Sequence, residues 1–145
     1  MNGTGAFQVP ARRRNAVYLL DTNACIDFAL GRSDLLRARV RSARSRGLTI
    51  STITLAELRV GARSPDGDSE DDRRLDLLIS ALTLAIFDVA AAEAYGRLGR
   101  AIGLKRRSFD RLIAAHALSL GLTVVTNNCD DFADVPGLRV ENWTE

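Results

Sequence analysis

Residues 17–23 read VYLLDTN and decide the class of fold that the sequence predicts. The run over residues 17–20 is short and apolar, which is typical of a strand buried on both faces of a parallel sheet. Asp21-Thr22-Asn23 ends that run, and a helix is expected to follow to Leu30 and to stop at Gly31. A strand followed at once by an acid and a helix is the first unit of an alternating α/β chain.

The same alternation continues to the end of the sequence. Further strands are expected over residues 48–53, 85–89, 122–126 and 138–140. Helices are expected over residues 34–46, from Thr54 to about Ala62, over 73–81 and 91–102, and from a cap at Ser108 to Leu120, with polar loops over 63–72 and 103–107. Strands that alternate with helices imply βαβ units, so we predict a three-layer α/β/α sandwich with a central parallel sheet of four to five strands.

Length and composition indicate one domain. Residues 1–15 lack periodicity and are expected to form a flexible arm ahead of a single domain over residues 16–145. With 46% hydrophobic residues, the chain can build a core without disulfides, so Cys25 and Cys129 are expected to be buried thiols. There is no signal-peptide pattern and no apolar run near the ~20 residues of a membrane span, so we expect a cytoplasmic protein without a membrane partner.

The positive charge of the chain is almost entirely arginine. The net charge is only +2, and Lys105 is the sole lysine. Arginine forms bidentate contacts with phosphate, although a GC-rich genome would produce the same bias. Two clusters are more suggestive of a nucleic-acid partner. They contain Arg37, Arg39, Arg41, Arg44 and Arg46, and Lys105, Arg106 and Arg107.

Acidic and amide side chains are predicted to meet at one edge of the sheet. The carboxyl ends of parallel strands and the amino ends of the connecting helices share an edge, where α/β folds bind ligands. Asp21 follows the first strand, Glu57 lies in the first turn of the next predicted helix, and Asp110 lies in the first turn of the helix before the fourth strand. The residues that follow the fourth strand reach the same edge: Asn127, Asn128 and Asp131.

Helix capping is an alternative explanation for each acid. Thr54 and Glu57 have the spacing of a capping box, Ser108 and Asp110 form an ordinary acidic helix start, and Asp21 could be an N-cap. Capping explains why each acid is at a helix start. It does not explain why the acids share one edge of the sheet.

Gathered carboxylates favour a divalent cation. Two of them at ~4 Å repel by about 4 kcal/mol at an effective dielectric constant near 20. Ligands that are all oxygen select Mg²⁺ or Mn²⁺ over zinc, and such an ion binds phosphate and activates water for phosphodiester hydrolysis. His116 is the only histidine, which excludes a histidine acid–base pair within one chain. We expect His116 to have a packing or hydrogen-bonding role, and no motif supports a serine or cysteine nucleophile.

Four segments of the chain carry a family resemblance. They are YLLDTN at 18–23, STITLAEL at 51–58, DRLIAAHAL at 110–118, and VTNNCDDF at 125–132 followed by VPGL at 135–138 and by Trp143. In this order and spacing they resemble the motifs of PIN-domain ribonucleases of the VapC type, the toxins of VapBC toxin–antitoxin systems. The resemblance covers residues 17 to 143, nearly the whole chain.

The resemblance implies roles for the rim residues. Asp21, Glu57 and Asp110 would hold one or two metal ions for endonucleolytic cleavage that leaves a 5′-phosphate and a 3′-hydroxyl. Asn128 stands where the family often has a fourth acid, and Asp131 lies three residues further on. Both are additional candidate ligands, and because an amide binds a cation more weakly, a second metal site stays open. The residues that would orient ligands or substrate are Asn23 and Thr126.

The resemblance also implies a substrate and partners. The substrate would be single-stranded or looped RNA, with the anticodon stem–loop of transfer RNA as the specific expectation. Candidates for holding the RNA backbone are Arg37, Arg41, Arg44, Lys105, Arg106 and Arg107. The basic sequence LKRRS at 104–108 departs from the Gly- or Pro-containing sequence of many relatives. A VapB-type antitoxin would cover the rim, the chain would form a homodimer, and promoter DNA would be bound only through the antitoxin.

Two other functions stay open at the level of sequence. One is a metal phosphohydrolase that acts on DNA or on a small phosphoester. The other is a catalytically silent PIN-like module that binds RNA or a protein. The presence of all three acids argues against the silent module, because binding alone does not require them.

Overall fold

The computed structural model describes residues 17–61, 70–103 and 109–145. The predicted arm over residues 1–15, most of the 63–72 loop, the Ser108 cap and the basic residues Lys105, Arg106 and Arg107 lie outside these ranges. The division into an arm and a domain therefore stays a prediction.

Five strands and six α-helices form the described part of the chain. The strands are β1 (Tyr18–Leu20), β2 (Leu48–Ser51), β3 (Thr83–Ala85), β4 (Thr123–Val125) and β5 (Val140–Glu141). The helices are α1 (Thr22–Ala29), α2 (Asp34–Ala43), α3 (Thr52–Gly61), α4 (Glu70–Ala81), α5 (Val89–Ile102) and α6 (Asp110–Leu120), with short 3₁₀ helices at Arg44–Arg46 and Cys129–Phe132.

The sheet is parallel throughout, in the order β3-β2-β1-β4-β5. The central strand is β1, in which Leu19 is in register with Thr49 of β2 and with Val124 of β4. All five strands therefore end at the same edge. The predicted parallel sheet is confirmed.

Successive residues of β1 face opposite layers, as the pleat of a strand requires. Leu19 packs with Ala94 of α5 and Ile113 of α6 in one buried cluster. Its neighbour Leu20 belongs to a second cluster on the other face, which includes residues of α1, α2, α3 and α4. Helices cover both faces of the sheet, and the predicted α/β/α sandwich is confirmed.

Several element boundaries differ from the sequence prediction. β2 ends at Ser51 and not at residue 53, because Ser51 Oγ accepts a 3.0 Å hydrogen bond from Ile53 N and starts α3 two residues early. α1 likewise starts at Thr22, directly after Asp21. α4 starts at Glu70, so residues 70–72, which were predicted as loop, form its first turn, where acids favour the helix dipole. α2 ends at Ala43, and the 3₁₀ turn Arg44–Arg46 replaces its predicted last residues.

The third strand was placed wrongly over residues 85–89. The apolar pair Ile86 and Phe87 suggested a strand there, but the strand is Thr83–Ala85 and Ile86 is 71% exposed. Asp88 accepts a 3.0 Å hydrogen bond from Ala91 N and starts α5 at Val89, two residues earlier than predicted. The last strand is Val140–Glu141 and not 138–140.

Most other local predictions hold, but the expected burial of Cys129 is wrong. Gly121 ends α6 in the left-handed conformation (φ 69°), which glycine adopts without strain. Trp143 is buried and packs edge-on against Tyr18, with ring centroids 4.8 Å apart. Cys25 is a buried free thiol, whereas Cys129 is only partly buried. Within the described ranges, no helix has the length and apolarity that a membrane crossing requires.

Candidate active site

Asp21 connects β1 to α1 at the carboxyl edge of the sheet. Its Oδ1 accepts a 2.8 Å hydrogen bond from Ala24 N, so Asp21 is indeed an N-cap. The side chain is also only 3% exposed. Burial raises the pKa of Asp21 to about 6, against the lowering effect of hydrogen bonds from Thr126 and Ala24, and the charges of Glu57 and Asp27 raise it further. The carboxylate of Asp21 therefore both caps α1 and belongs to the acidic cluster.

Glu57 does not cap a helix. Because α3 begins at Thr52, Glu57 lies in its second turn and not in the first, and Thr54 lies inside the helix and not at its N-cap. The predicted capping box is therefore wrong. Glu57 Oε1 instead accepts a 2.6 Å hydrogen bond from Thr22 Oγ1 of α1. This bond holds the carboxylate of Glu57 beside the residue that follows Asp21.

Asp110 lies in the first turn of α6, as predicted, where it is the first helical residue, and it is partly buried. Burial raises its pKa to about 6, and the charge of Asp131, a hydrogen bond with Asp131 and the charges of Asp21 and Glu57 act in the same direction. Asp110 thus feels carboxylates from three other segments of the chain. The structure brings Asp21, Glu57 and Asp110 together, and Asp131 joins them.

The cluster offers the donor chemistry of a magnesium or manganese site. Its donors are carboxylate and amide oxygens. The charge of Glu57 raises the pKa of Asp21, and the charges of Asp131, Asp21 and Glu57 raise that of Asp110, which is the repulsion that a divalent cation relieves. Among the residues that the structure describes, no three Asp, Glu, His or Cys side chains are already gathered closely enough to hold an ion. The donor types and the charge of the cluster fit a hard cation.

The residues after β4 form a hydrogen-bonded support around the acids. Thr126 is buried and contacts Asp21, and its Oγ1 accepts a 3.0 Å hydrogen bond from Asn128 N. The side chain of Asn128 donates a 2.6 Å hydrogen bond to Asp131 Oδ2. Asn23 is exposed in the first turn of α1, next to Asp21. The structure thus places the predicted orienting residues Asn23 and Thr126 at the rim.

The arginines of the 37–46 segment lie elsewhere. Arg37, Arg41 and Arg44 line a cavity of about 290 Å³ between α1, α2 and α4. Leu48, the first residue of β2, also lines this cavity, which places it toward the starting edge of the sheet and away from the acids. This position of the three arginines does not test their predicted contact with RNA, which stays a prediction.

Sequence reasoning missed two residues that support the site. Thr22 was expected only to end the first strand together with its neighbours, although it holds Glu57. Asp27, in the second turn of α1, accepts a hydrogen bond from the side chain of Asn127 and adds its charge to the surroundings of Asp21. The only sequence signal for Thr22 is its place directly after the acid, and Asp27 has none, because its partner lies 100 residues away.

The prediction for His116 is confirmed. The ring is 1% exposed, Nδ1 lies 2.8 Å from Ser51 Oγ, and Phe87 packs edge-on at 5.3 Å between ring centroids. Burial lowers the pKa of His116, with Asp88 and a hydrogen bond to the backbone of Ile86 acting in the opposite direction. His116 is a buried hydrogen-bonding residue between α6 and β2.

Two features together identify the class of this protein. A five-stranded parallel sheet lies between helices, and acids from three separated segments meet at its carboxyl edge. A family model described as the PIN domain matches residues 18–138. The chain belongs to the PIN-domain family.

The relatives narrow the class to VapC proteins. The tRNA(fMet)-specific endonuclease VapC of Salmonella typhimurium is 36% identical over 129 residues, covering 87% of this chain and 97% of the relative. Ribonuclease VapC2 of Rickettsia felis is 33% identical over 137 residues, covering 88% and 98%. The crystal structure of VapBC2 from Rickettsia felis, bound to a DNA fragment from its promoter, matches with a TM-score of 0.77 at 32% identity, over 88% of this chain and 98% of that chain. The resemblance drawn from the motifs is confirmed.

Proposed function

We propose that this chain is a metal-dependent endoribonuclease toxin of the VapC type that hydrolyses RNA phosphodiester bonds and is neutralised by a VapB-type antitoxin. The observation that carries the proposal is the meeting of Asp21, Glu57 and Asp110, which come from three remote segments, at the carboxyl edge of the sheet. The family and its VapC relatives give the same answer independently.

Asp21, Glu57 and Asp110 are the proposed ligands of Mg²⁺ or Mn²⁺, with Asn128 and Asp131 as additional ligands. When bound, the ion supplies phosphate binding and an activated water. The chain's own residues fix the ligands: Thr22 holds Glu57, while Thr126 and Ala24 hold Asp21. Because burial and mutual repulsion raise the pKa values of Asp21 and Asp110, binding a cation relieves an unfavourable charge state.

The proposed substrate is transfer RNA, cut in the anticodon stem–loop to leave a 5′-phosphate and a 3′-hydroxyl. The name of the Salmonella relative, which specifies tRNA(fMet), supports this choice. Looped RNA also exposes its backbone to a site at the edge of a sheet better than a duplex does. Arg37, Arg41, Arg44, Lys105, Arg106 and Arg107 remain the candidates for backbone contacts, which would make binding salt-dependent.

The proposed partners follow from the matched VapBC complexes. A VapB-type antitoxin would bind the chain and close the rim, and promoter DNA would be held through the antitoxin. The chain would act as a homodimer. Purification with the co-expressed antitoxin, followed by light scattering with and without it, tests both the complex and the dimer.

Asp110→Asn tests the enzymatic assignment. We expect this variant to fold normally and to lose both RNA cleavage with Mg²⁺ and growth arrest on induction, because it removes a ligand charge but keeps the side chain's shape. Asp76→Asn, at an exposed ion pair with Arg59, is the matched control and should behave as wild type. Sequencing of tRNA after induction identifies the cut. Normal cleavage by Asp110→Asn overturns the assignment of the site. Preferential cleavage of DNA by wild type indicates a different phosphohydrolase. Binding of RNA by wild type without cleavage indicates a silent module.

A further inference from the structure

Arg111 directly follows Asp110 and is paired with Asp134 of the β4–β5 connection. Its side chain is 4% exposed, and its Nη1 and Nη2 donate hydrogen bonds of 2.8 and 2.7 Å to Asp134 Oδ1 and Oδ2. This is the bidentate geometry in which arginine and carboxylate interact most specifically. A buried arginine is found almost only with such a partner, so the pair determines how this part of the chain packs.

Asp134 lies in the connection from β4 to β5. The 3₁₀ helix Cys129–Phe132, which contains Asp131, is part of the same connection. Phe132 and Val135 pack in the cluster that contains Ile113 of α6. The connection is therefore attached to α6 both by apolar contacts and by the Arg111–Asp134 ion pair.

The attachment brings two carboxyl groups of like charge together. Asp131 acts on Asp110 both through its charge and through a hydrogen bond. Two acids do not remain adjacent through their own interaction once both are ionised, because they repel. An attachment that does not depend on them has to hold the two segments in place.

We propose that the Arg111–Asp134 ion pair is a positioning clamp, which holds the β4–β5 connection against the start of α6 so that the carboxylate of Asp131 faces that of Asp110. Its consequence for metal binding rests on the proposed function. Arg111 and Asp134 are positioning residues and do not contact the reacting groups.

The clamp makes a specific prediction for the metal-free chain. In amide hydrogen exchange we expect Asp134→Ala to raise the exchange rates of the β4–β5 connection at least about 10-fold, because the ion pair no longer holds the connection against α6. Asp131→Ala should leave these rates close to wild type, because Asp131 is positioned by the clamp and is not part of it. Asp76→Ala, which cuts the exposed pair with Arg59, should also leave them unchanged.

Metal binding gives a second, separate measurement. By electron paramagnetic resonance we expect the half-saturating Mn²⁺ concentration to rise about 10-fold in Asp131→Ala, which loses a proposed ligand, and about 10-fold in Asp134→Ala, which loses the support of that ligand, and to rise no further in the double variant. If Asp134→Ala fails to fold, Asp134→Asn, which keeps one acceptor for the guanidinium, replaces it in both measurements.

The results of these measurements distinguish a failure of the proposed clamp from a failure of the proposed nuclease function. Unchanged hydrogen exchange of the β4–β5 connection in Asp134→Ala, or effects of Asp134→Ala and Asp131→Ala on Mn²⁺ binding that multiply in the double variant, overturns the clamp. If wild type neither binds Mn²⁺ nor cleaves RNA, the proposed function fails, but the metal-free hydrogen exchange still decides the clamp.

Discussion

Thr22 Oγ1 donates a 2.6 Å hydrogen bond to Glu57 Oε1, joining residues that are 35 positions apart in sequence. Thr22 is the first residue of α1, and Glu57 lies in the second turn of α3. The bond directs a partly buried carboxylate toward the end of β1, where Asp21 lies. A single hydroxyl thus determines the position of one of the three central acids.

Thr22→Val removes this hydroxyl but keeps the size and branching of the side chain. A hydrogen bond to a charged group contributes about 1.5–3 kcal/mol, so we expect RNA cleavage at limiting Mn²⁺ to fall by at least about 10-fold. Thr22→Ser keeps the hydroxyl and should retain most activity. Equal activity of Thr22→Val and wild type in single-turnover cleavage would show that Glu57 is held by other contacts.

The sheet and the meeting of the acids could be predicted from the sequence, because buried parallel strands are short apolar runs and their carboxyl ends share an edge. The acids Asp21 and Asp110 were placed correctly on that basis. The position of Glu57 within α3 was not, because Ser51 competes with Thr54 as the helix start, and local spacing does not decide between them. The predicted position of the third strand was wrong for a similar reason. Ile86 and Phe87 are apolar but lie beyond the residues of β3 that pair with β2.

Contacts between remote segments left no signal in the sequence. Thr22 with Glu57, Asp27 with Asn127 and Arg111 with Asp134 are each made across 23 to 100 residues. Polar residues of these types are common on surfaces, and only the packed chain shows which ones meet. The acids of the site were therefore predictable, whereas the residues that hold them were not.

Asp21→Asn should abolish cleavage and at the same time stabilise the metal-free fold. The pKa of Asp21 rises from 3.8 to about 6 on folding, so wild-type stability is greatest below the unfolded value and is lost as pH rises through about 6. At 1.36 kcal/mol per pKa unit the cost at neutral pH is at most about 3 kcal/mol, and we expect a gain of roughly 1–3 kcal/mol because asparagine still caps α1.

Urea unfolding in the presence of a chelator measures this gain at pH 7.5 and again near pH 4. Near pH 4 the gain should shrink to about 0.5 kcal/mol, since folded Asp21 is then protonated and the unfolded carboxyl is near its pKa of 3.8. Destabilisation of Asp21→Asn at pH 7.5 would contradict the assignment of burial as the main cause of the raised pKa.

The pH dependence of cleavage should reflect Asp21 and Asp110 together. Both have a pKa of about 6, and both must be ionised to bind a cation. At limiting Mn²⁺ we therefore expect activity to fall as pH drops through about 6, by roughly 100-fold at pH 5, because two groups lose about 10-fold each. Saturating Mn²⁺ should move the midpoint to lower pH. A midpoint near 4 at limiting metal would indicate that the acids are less buried and less close to one another than the structure shows.

His116→Gln should lower stability in a way that depends on pH. The ring is buried between Ser51 and Phe87, and burial lowers its pKa below 6.5. A histidine with a depressed folded pKa contributes stability above 6.5, which is lost as pH falls, since the unfolded chain takes up a proton that the folded chain resists. We expect the variant to be about 1–3 kcal/mol less stable at pH 7.5, from the lost buried hydrogen bond, and this difference to shrink by pH 5. Comparing the two proteins at each pH removes the opposite trend from Asp21 and Asp110, which both chains share. A difference that stays constant between pH 7.5 and 5 would mean that His116 keeps its ordinary pKa despite its burial.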